Sequence, residues 1–473
     1  MNLFSQSPQV KTPSHKLRSK AWRQRSVIFS FAILGLVAGL SYHSKKHSEQ
    51  SLNPADRALL DRATSEGQRA FFPEDGTPDK ALAIQAFVNG DRQLAITFLL
   101  QSLSTKINDP ESRIYLNNLE AADRNPAKIA VSVPITEDPN SAREVLRGVA
   151  QAQSEINRAS TTARPLAITI ADDANQVPQA QGLAKSFVNR SDILGVVGHL
   201  ASSLTLATAD IYDQGKLIAI SPVSSAVTLS NKSPYVLRTV PSDAIAARAL
   251  IDHLTQTLKL RKAVVYFNSQ SDYSKSLKGE LKTAIEAQGG QMVAEQDLSV
   301  SSFSAAQTLE AAKQNGAEAI LLAANTGMLD RALQVVQVNQ NKLPILAGDD
   351  VYNSKTLEVA RAQGKGMVLA VPWHILSGSS QSFAARSRQL WGGDVNWRTA
   401  TAYDATQALG LGLQQAKTRE ELQQSLTHPG FSATGASRMV IFLPSGDRNV
   451  PAQLVKIVEG ARSRFGYDFV PIP

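Results

Sequence analysis

Short apolar runs alternate with longer amphipathic stretches from about residue 128 to the C-terminus. An apolar run rich in β-branched residues and bounded by glycine is typical of a strand buried on both faces. The stretches between the runs have apolar positions at helical spacing and predict helices. This alternation predicts an α/β fold with mostly parallel, doubly wound sheets. The predicted strands are Ile129–Val133, Leu166–Ala171, Ile193–Val197, Leu217–Ile220, Ala263–Phe267, Ala319–Ala323, Leu343–Ala347, Met367–Val371 and Met439–Phe442.

This number of strands fits two α/β lobes better than one sheet. The alternation is interrupted at Arg238–Pro241, at Pro372–Trp373 and near Arg438, and we expect the chain to cross between lobes at these three points. The α/β region, 128–473, then divides into lobe 1, at about 128–239 and 373–437, and lobe 2, at about 240–372 and 438–473.

The stretch from Asp192 to Ser230 contains the clearest β-α-β unit. The apolar runs Ile193–Val197 and Leu217–Ile220 flank a helix that begins near Ser202 and Ser203. Serine at a helix start often only caps the helix. However, a second serine-rich segment follows the second strand, and open α/β sheets bind ligands at the carboxyl ends of their strands. Hydroxyl and free N–H groups there could hold a carboxylate.

The N-terminal 54 residues predict an export or anchoring segment. Residues 1–25 read as a basic cytoplasmic tail, 26–42 as a transmembrane signal anchor and 43–54 as a linker. The apolar run Val27–Leu40 would give a helix of about 21 Å, short of a bilayer core of about 30 Å. A signal peptide cleaved after Gly39 is therefore the alternative. Either interpretation places the main domain outside the cytoplasm, and the signal anchor would hold it at the periplasmic face of the inner membrane with the N-terminus in the cytoplasm.

Residues 55–121 predict helices without strands. Apolar positions fall at helical spacing on both sides of Gly90-Asp91, and Asp109-Pro110-Glu111 begins a further helix. The pattern resembles one tetratricopeptide-type hairpin, whereas stacked repeats usually need about three units. We expect a small helical spacer packed on the main domain, with a partner-docking role as the alternative.

Composition narrows the functional classes. The formal net charge is +8, but the first 25 residues carry six basic side chains and no acidic one. The rest is close to neutral, so no nucleic-acid partner is indicated. The chain has no cysteine, which excludes thiol nucleophiles, disulfides and thiolate metal sites. It also lacks the common hydrolase, zinc-protease and nucleotide-binding motifs, so we expect neither an enzyme nor a cofactor.

Three segments, GHLASS at 198–203, ISPVSS at 220–225 and RTVPSD at 238–243, carry a family resemblance. Over about 128–473 the chain resembles type I periplasmic solute-binding proteins, especially the leucine/isoleucine/valine-binding group. The resemblance implies two lobes joined by three crossovers, with an amino acid clamped between them. It implies capture for the permease and ATPase of an ABC importer; the alternative is a ligand sensor or scaffold coupled to a signalling partner.

The resemblance also implies ligand-binding residues on lobe 1. Ser202 matches the serine that holds the ligand α-carboxylate, and the adjacent Ser203 joins it in the candidate site. Ser225 matches a threonine that contacts both ends of the ligand. Val223 matches a residue whose carbonyl accepts from the ammonium.

On lobe 2 the resemblance implies three more contacts. Tyr273 matches an aromatic residue over the cleft, Asp350 replaces a glutamate that pairs with the ammonium, and Asn325 replaces a tyrosine. Both replacements change the reach into the pocket. The loop PITEDPNS at 134–141 differs from the family pattern, and we expect it to shape the pocket for the ligand side chain. We interpret Asp349 as a structural neighbour of Asp350.

Other polar residues favour structural roles. His199 follows a strand and reads as a packed, hydrogen-bonded residue. The adjacent Asp172 and Asp173 should diverge at a strand end rather than act as an acid pair. Trp397 and Arg398 precede a predicted helix, and we expect them to pack against lobe 1. A family disulfide links two positions that are Asn175 and Ala201 in this chain, so both cysteines are replaced together.

Overall fold

The computed structural model describes residue 58 and residues 61–159, 164–378 and 381–472. The basic tail, the signal anchor and the linker expected from the sequence lie outside these residues. Among the helices that the structure does describe, none combines the length and the apolar character needed to cross a bilayer.

The first part of the described chain is a helical module. It contains a two-residue strand and three helices: β1 (Thr64–Ser65), α1 (Pro78–Val88), α2 (Arg92–Thr105) and α3 (Pro110–Ala121). Each helix begins at a polar cap, because the side chains of Thr77, Asp91 and Asp109 accept from the N–H three residues on. The expectation of helices without strands is corrected by β1, which is too short to give a periodic pattern.

Lobe 1 begins with alternating strands and helices. They are β2 (Ala127–Val133), α4 (Pro139–Ala159), β3 (Leu166–Asp172), α5 (Val177–Asn189), β4 (Ile193–Val197), α6 (Ser202–Gln214), β5 (Ile218–Ser221) and β6 (Val236–Arg238). The sheet order is β1-β3-β2-β4-β5-β6, with β2 to β6 parallel and β1 antiparallel to β3. All five residues of β4 are buried, as expected for a central strand covered on both faces.

The chain then forms lobe 2, returns to lobe 1 and ends in lobe 2. The first lobe 2 segment comprises α7 (Asp243–Asp252), β7 (Lys262–Phe267), α8 (Asp272–Ala287), β8 (Gln291–Asp297), α9 (Ala305–Gln314), β9 (Ala319–Ala323), α10 (Leu329–Asn339), β10 (Ile345–Ala347), α11 (Ser354–Ala360) and β11 (Val368–Val371). The later elements are α12 (Gln381–Trp391), α13 (Trp397–Gln415), α14 (Arg419–Thr427), β12 (Gln453–Glu459) and β13 (Tyr467–Pro471). The second sheet has the order β13-β12-β11-β10-β9-β7-β8. In this sheet β12 pairs antiparallel with β11, and β13 pairs antiparallel with β12.

Helix α13 returns the chain to lobe 1 by packing closely along α4. A Cβ at Gly148 would collide with the backbone of Thr399 and Tyr403, so glycine is required for this approach. The hydroxyl of Thr399 donates to the carbonyl oxygen of Glu144 at 2.9 Å. This packing fixes the start of α13, including Arg398, against lobe 1.

The predicted α/β class and two lobes are confirmed, but one predicted strand is wrong. Met439–Phe442 forms only isolated bridges, from Val440 to Ala433 and from Phe442 to Arg448. Met439 and Ile441 are exposed, so the alternation marks a one-sided surface loop. The sequence interpretation also missed four strands, because β6 is short, β8 is largely polar and partly exposed, and β12 and β13 pair antiparallel at a sheet edge.

The helical module covers the outer edge of the first sheet. Asn118 donates from Nδ2 to Ile168 O and accepts from Ile168 N–H, both at 2.8 Å, so its side chain replaces a neighbouring strand. β1 pairs with the same edge at Ile170 and Ala171. Covering an edge in this way protects it from pairing with another chain. The module is thus packed on the main domain, as expected for a spacer.

Candidate functional site

A cleft of about 220 Å³ lies between the two lobes. Its walls are built mainly by loops at the carboxyl ends of β2, β4, β5, β9 and β10, which is where open α/β sheets bind ligands. The lobe 1 wall contains Pro134, Glu137, Asp138, Ser141, Asn175, Leu200, Ala201, Ser202, Val223 and Arg398. The lobe 2 wall contains Ser271, Tyr273, Asn325, Thr326, Gly327, Asp349 and Asp350.

The cleft brings together five of the seven candidate residues. They come from both lobes and are Ser202, Val223, Tyr273, Asn325 and Asp350. Ser203 and Ser225 are not among the lining residues. Consecutive helix positions point about 100° apart, so only one of the serines at the start of α6 can face the cleft. Ligand contact by the five lining residues stays a prediction.

The start of α6 presents Ser202 at the cleft. The N-cap residue is Ala201 and no side chain caps the helix, so the alternative that a serine only caps it is not supported. Instead, the Ser202 hydroxyl accepts from the N–H of Ala226 at 3.3 Å. The N–H groups of Leu204 and Thr205 donate to Ala201 O, which leaves those of Ser202 and Ser203 available to an anion.

His199 holds the loop before α6 in place through its hydrogen bonds. Its Nδ1 lies 2.8 Å from Asp173 Oδ2 and its Nε2 lies 3.0 Å from the hydroxyl of Tyr212. The Ser221 hydroxyl donates to His199 O at 2.6 Å, which ties this loop to the end of β5. His199 is fully buried, as expected for a packed residue. Asp172 instead accepts from the Thr136 hydroxyl, so the two adjacent acids have separate partners.

Asp350 lines the cleft and is already paired with an arginine, so its contact with a ligand ammonium stays a prediction. Arg398 Nη2, on lobe 1, donates to Asp350 Oδ1, on lobe 2, at 2.6 Å. The other oxygen, Oδ2, accepts from the N–H of Thr326 at 3.2 Å. Burial raises the pKa of Asp350, and the charge of Arg398 opposes this shift while that of Asp138 adds to it. Asp350 and Arg398 therefore form an ion pair that joins the two lobes across the cleft.

Asp349 is a second carboxyl of the cleft rather than only a structural neighbour. The Tyr273 hydroxyl donates to Asp349 Oδ1 at 2.7 Å. A Cβ at Gly348 would collide with that hydroxyl, so glycine permits the contact. Burial, followed by the charge of Asp350, raises the pKa of Asp349 to about 7.

A third carboxyl, Asp243, lies behind these two at the start of α7. Its Oδ2 is buried without a hydrogen bond of good geometry to any described residue, and so is the hydroxyl of Ser225. Burial raises the pKa of Asp243 to about 6, the hydroxyls of Ser276 and Ser225 oppose the shift, and the charge of Asp350 adds to it. Ser225 thus lies beside this buried acid rather than on the cleft wall.

The arrangement is suited to binding. In the described part of the chain, no group of three or more His, Cys, Asp and Glu residues could hold a metal ion. The walls offer hydroxyl and N–H donors at Ser202 and carboxylates at Asp349 and Asp350. These groups complement the two ends of an amino acid, and charge-assisted hydrogen bonds of about 1.5–3 kcal/mol each can offset its desolvation.

Sequence interpretation missed three residues of the cleft. Arg398 was expected to pack against lobe 1, and only the return of α13 beside α4 brings it to the cleft. Glu137 and Asp138 lie in the loop that was expected to shape the side-chain pocket, but their individual positions were not predicted. The available signal was the acidic pair in a loop directly after a buried strand.

Comparisons with known proteins identify the family and the fold of this chain. A family model described as "Periplasmic binding protein" matches residues 126–461, more than half of the chain. An amino acid binding protein of Pseudomonas aeruginosa is 30% identical over 121 residues, which cover 25% of this chain and 32% of that relative. The Leu/Ile/Val-binding protein of Escherichia coli K12 is 21% identical over 286 residues, 59% of this chain and 76% of its own.

A solved structure supports the fold in the same way. The ABC transporter substrate-binding protein of Desulfitobacterium hafniense in complex with Leu is 22% identical and has a TM-score of 0.61. The alignment covers 73% of this chain and 100% of that structure. The helical module lies before the start of the family match, so its similarity to a tetratricopeptide repeat stays a prediction.

Proposed function

Because the chain belongs to the periplasmic binding protein family, we propose that it captures an amino acid between its lobes and delivers it to an ABC-type importer. The observation that carries this proposal is that both lobes contribute side chains to one cleft, with Ser202 on one wall and Asp350 on the other. A ligand that contacts both walls stabilises the closed arrangement of the lobes. A partner protein can then recognise the closed state.

The family consists of solute-binding proteins and not of enzymes, so the chain is not an enzyme. In our proposal, Ser202 and the adjacent N–H groups receive the α-carboxylate, and Val223 O and the pair Asp349–Asp350 receive the ammonium. Asn325, whose Oδ1 accepts from Asn268 at 2.8 Å, and Tyr273 enclose the ligand from lobe 2.

The proposal includes the cellular location. The binding domain works in the periplasm, tethered to the inner membrane by residues 26–42, with residues 1–25 in the cytoplasm. The apolar run and the basic residues before it support this arrangement. Cell fractionation, followed by mass spectrometry of the mature N-terminus, distinguishes the anchor from a signal peptide cleaved after Gly39.

Isothermal titration of the full-length chain with each common amino acid tests the ligand class. We expect at least one to bind with a Kd in the micromolar range or below, about 8 kcal/mol or more. Ser202→Ala and Asp350→Ala should weaken that binding, whereas the exposed Glu358→Gln on α11 serves as a matched control. Absence of binding by every amino acid would contradict the proposal.

A ligand sensor or scaffold is the second candidate function. Exposed apolar side chains on the α1–α2 hairpin favour it, since Leu82, Val88, Leu94 and Leu100 are each at least two fifths exposed. Neighbouring genes for a permease and an ATPase would favour transport. The sensor would be favoured if uptake persists after deletion of the permease and ATPase genes and if deletion of the gene for this chain abolishes a signalling response.

A further inference from the structure

The cleft carries an excess of negative charge. Among the described residues that line it, Arg398 is the one cationic side chain, whereas four are acidic: Glu137, Asp138, Asp349 and Asp350. Asp243 adds a fifth carboxyl near the wall, and its buried Oδ2 has no hydrogen bond of good geometry to a described residue, although the Ser276 and Ser225 hydroxyls lie beside the carboxyl. A cleft of this charge between low-dielectric walls attracts cations and repels anions.

The single arginine does not balance these acids. Arg398 is bound to Asp350, and its guanidinium also lies over the ring of Trp397, with 4.3 Å from Cζ to the ring centre. Among the described residues, the Tyr273 hydroxyl is the one hydrogen-bond donor to the Asp349 carboxyl. Buried carboxylates are expensive without a cation. Protonation relieves part of this cost, because burial raises the pKa of Asp349 to about 7, and a positively charged ligand would supply the remaining compensation.

A ligand without net charge would not supply it. The ammonium of a zwitterion neutralises one carboxylate, but its own carboxylate brings a new negative charge to Ser202. The acids are also distributed over two places. Asp349 and Asp350 belong to lobe 2, while Glu137 and Asp138 follow β2 on lobe 1, in the loop expected to contact the ligand side chain.

We propose that the cleft selects an amino acid whose side chain carries a positive charge, with the side-chain cation held by Glu137 and Asp138. This inference rests on the proposed function and names the ligand class of the same site. The α-carboxylate binds at the start of α6, and the α-ammonium binds beside Asp349 and Asp350. Glu137 is exposed and Asp138 is half-buried, so both are accessible to a ligand.

Titrating the full-length chain with L-arginine, L-lysine, L-leucine, L-glutamate and putrescine at neutral pH tests the inference. We expect arginine or lysine to bind at least about tenfold more tightly than leucine, and glutamate more weakly than leucine. Putrescine, which has two amines but no carboxylate, should bind at least about tenfold more weakly than the better of the two basic amino acids.

Two substitutions locate the side-chain cation. Glu137→Gln and Asp138→Asn should each weaken arginine or lysine binding by about fivefold or more, with leucine affinity changed by less than about twofold. Asp138 Oδ1 caps α4 by accepting from Ser141 N–H at 3.1 Å, and asparagine keeps this cap. Glu358→Gln, on the surface of α11, should change neither affinity.

The possible outcomes distinguish a failure of this inference from a failure of the proposed function. If leucine binds most tightly, or if the two variants lose equal affinity for leucine and arginine, the selection of a cationic side chain is wrong and amino-acid capture stands. Tightest binding of putrescine overturns the requirement for a carboxylate. Failure of every amino acid to bind overturns both the inference and the proposed function.

Discussion

Two buried charge clusters of this protein differ in their balance. In the helical module, Lys80 Nζ lies 2.9 Å from Asp109 Oδ2 and 2.8 Å from Glu111 Oε2, and all three side chains are almost completely buried. Glu111 also accepts from Phe71 N–H at 2.7 Å and from the Tyr115 hydroxyl at 2.9 Å. Two carboxylates face one lysine, so the cluster keeps a net negative charge, but each charged group has a partner within the chain, and in this sense we call the cluster balanced.

The cleft cluster contains three carboxyls, Asp243, Asp349 and Asp350. Arg398 is bound to Asp350, and the charge of Arg238 also acts on Asp243. Burial raises the pKa of all three carboxyls, and Asp243 Oδ2 has no hydrogen bond of good geometry to a described residue. The difference teaches that burial alone does not mark a functional site. The balanced cluster stabilises a fold, and the unbalanced one stores an unfavourable charge that a cationic ligand can relieve.

The largest expected effect is at the balanced cluster. Lys80→Met removes the cation and leaves two buried carboxylates, which should lower the free energy of unfolding by about 3–5 kcal/mol. Urea denaturation followed by circular dichroism measures it. Lys106→Met, which breaks a partly exposed pair with Asp75 in the same module, is the matched control and should cost about 1 kcal/mol or less. If both variants lose the same free energy of unfolding, the buried cluster is no more stabilising than a partly exposed ion pair, which would contradict the prediction.

A substitution at the unbalanced cluster should have the opposite sign. Asp349→Asn keeps an oxygen that accepts from Tyr273 and removes a carboxylate that burial disfavours. We expect the free energy of unfolding at about pH 8 to increase by about 1–3 kcal/mol. The same denaturation experiment checks this, and a clear decrease would show that the cluster is already compensated.

The pH dependence sharpens the comparison. The pKa of Asp349, raised to about 7, exceeds its value of about 3.9 in the unfolded chain. The folded state therefore binds more protons between about pH 4 and 7, so this group makes the free energy of unfolding rise as the pH falls through that window. The advantage of Asp349→Asn should shrink by about 2 kcal/mol between about pH 8 and 5.5.

Comparing the variant with the unsubstituted protein is necessary because other groups titrate in the same range. Burial lowers the pKa of His374 to about 4. The unfolded chain therefore binds more protons at this position, and the free energy of unfolding decreases as the pH falls below about 6.5. That contribution is the same in both proteins and cancels in the difference. A difference that stays constant over the window would show that Asp349 keeps its charge throughout.

The smallest expected effect concerns the donor wall of the cleft. Ser202→Ala removes one hydroxyl and should weaken binding of the best amino acid by about fivefold, the loss of about 1 kcal/mol. Its free energy of unfolding should change little, because the hydroxyl accepts only one long hydrogen bond from Ala226. Calorimetric titration measures the affinity, and an unchanged Kd would place the carboxylate elsewhere.

The parts of this structure that depend on local pattern could be predicted from the sequence. Apolar runs such as Ile193–Val197 gave the central strands, and the serine at the start of α6 was placed at the cleft. Arg398 was missed because it reaches the cleft only after the chain has returned from lobe 2, a contact between positions 48 residues apart. The strand at Met439–Phe442 was wrong because alternating exposure also occurs in a surface loop.

Proton release on ligand binding tests the central claim most directly. L-arginine is titrated into the full-length chain at about pH 7 in two buffers with different ionisation enthalpies. A cation that binds beside Asp349 and Asp350 lowers their pKa values, so we predict a net release of about half a proton, and a much smaller release in Asp349→Asn. Binding with no dependence on the buffer, or with proton uptake, would contradict the account.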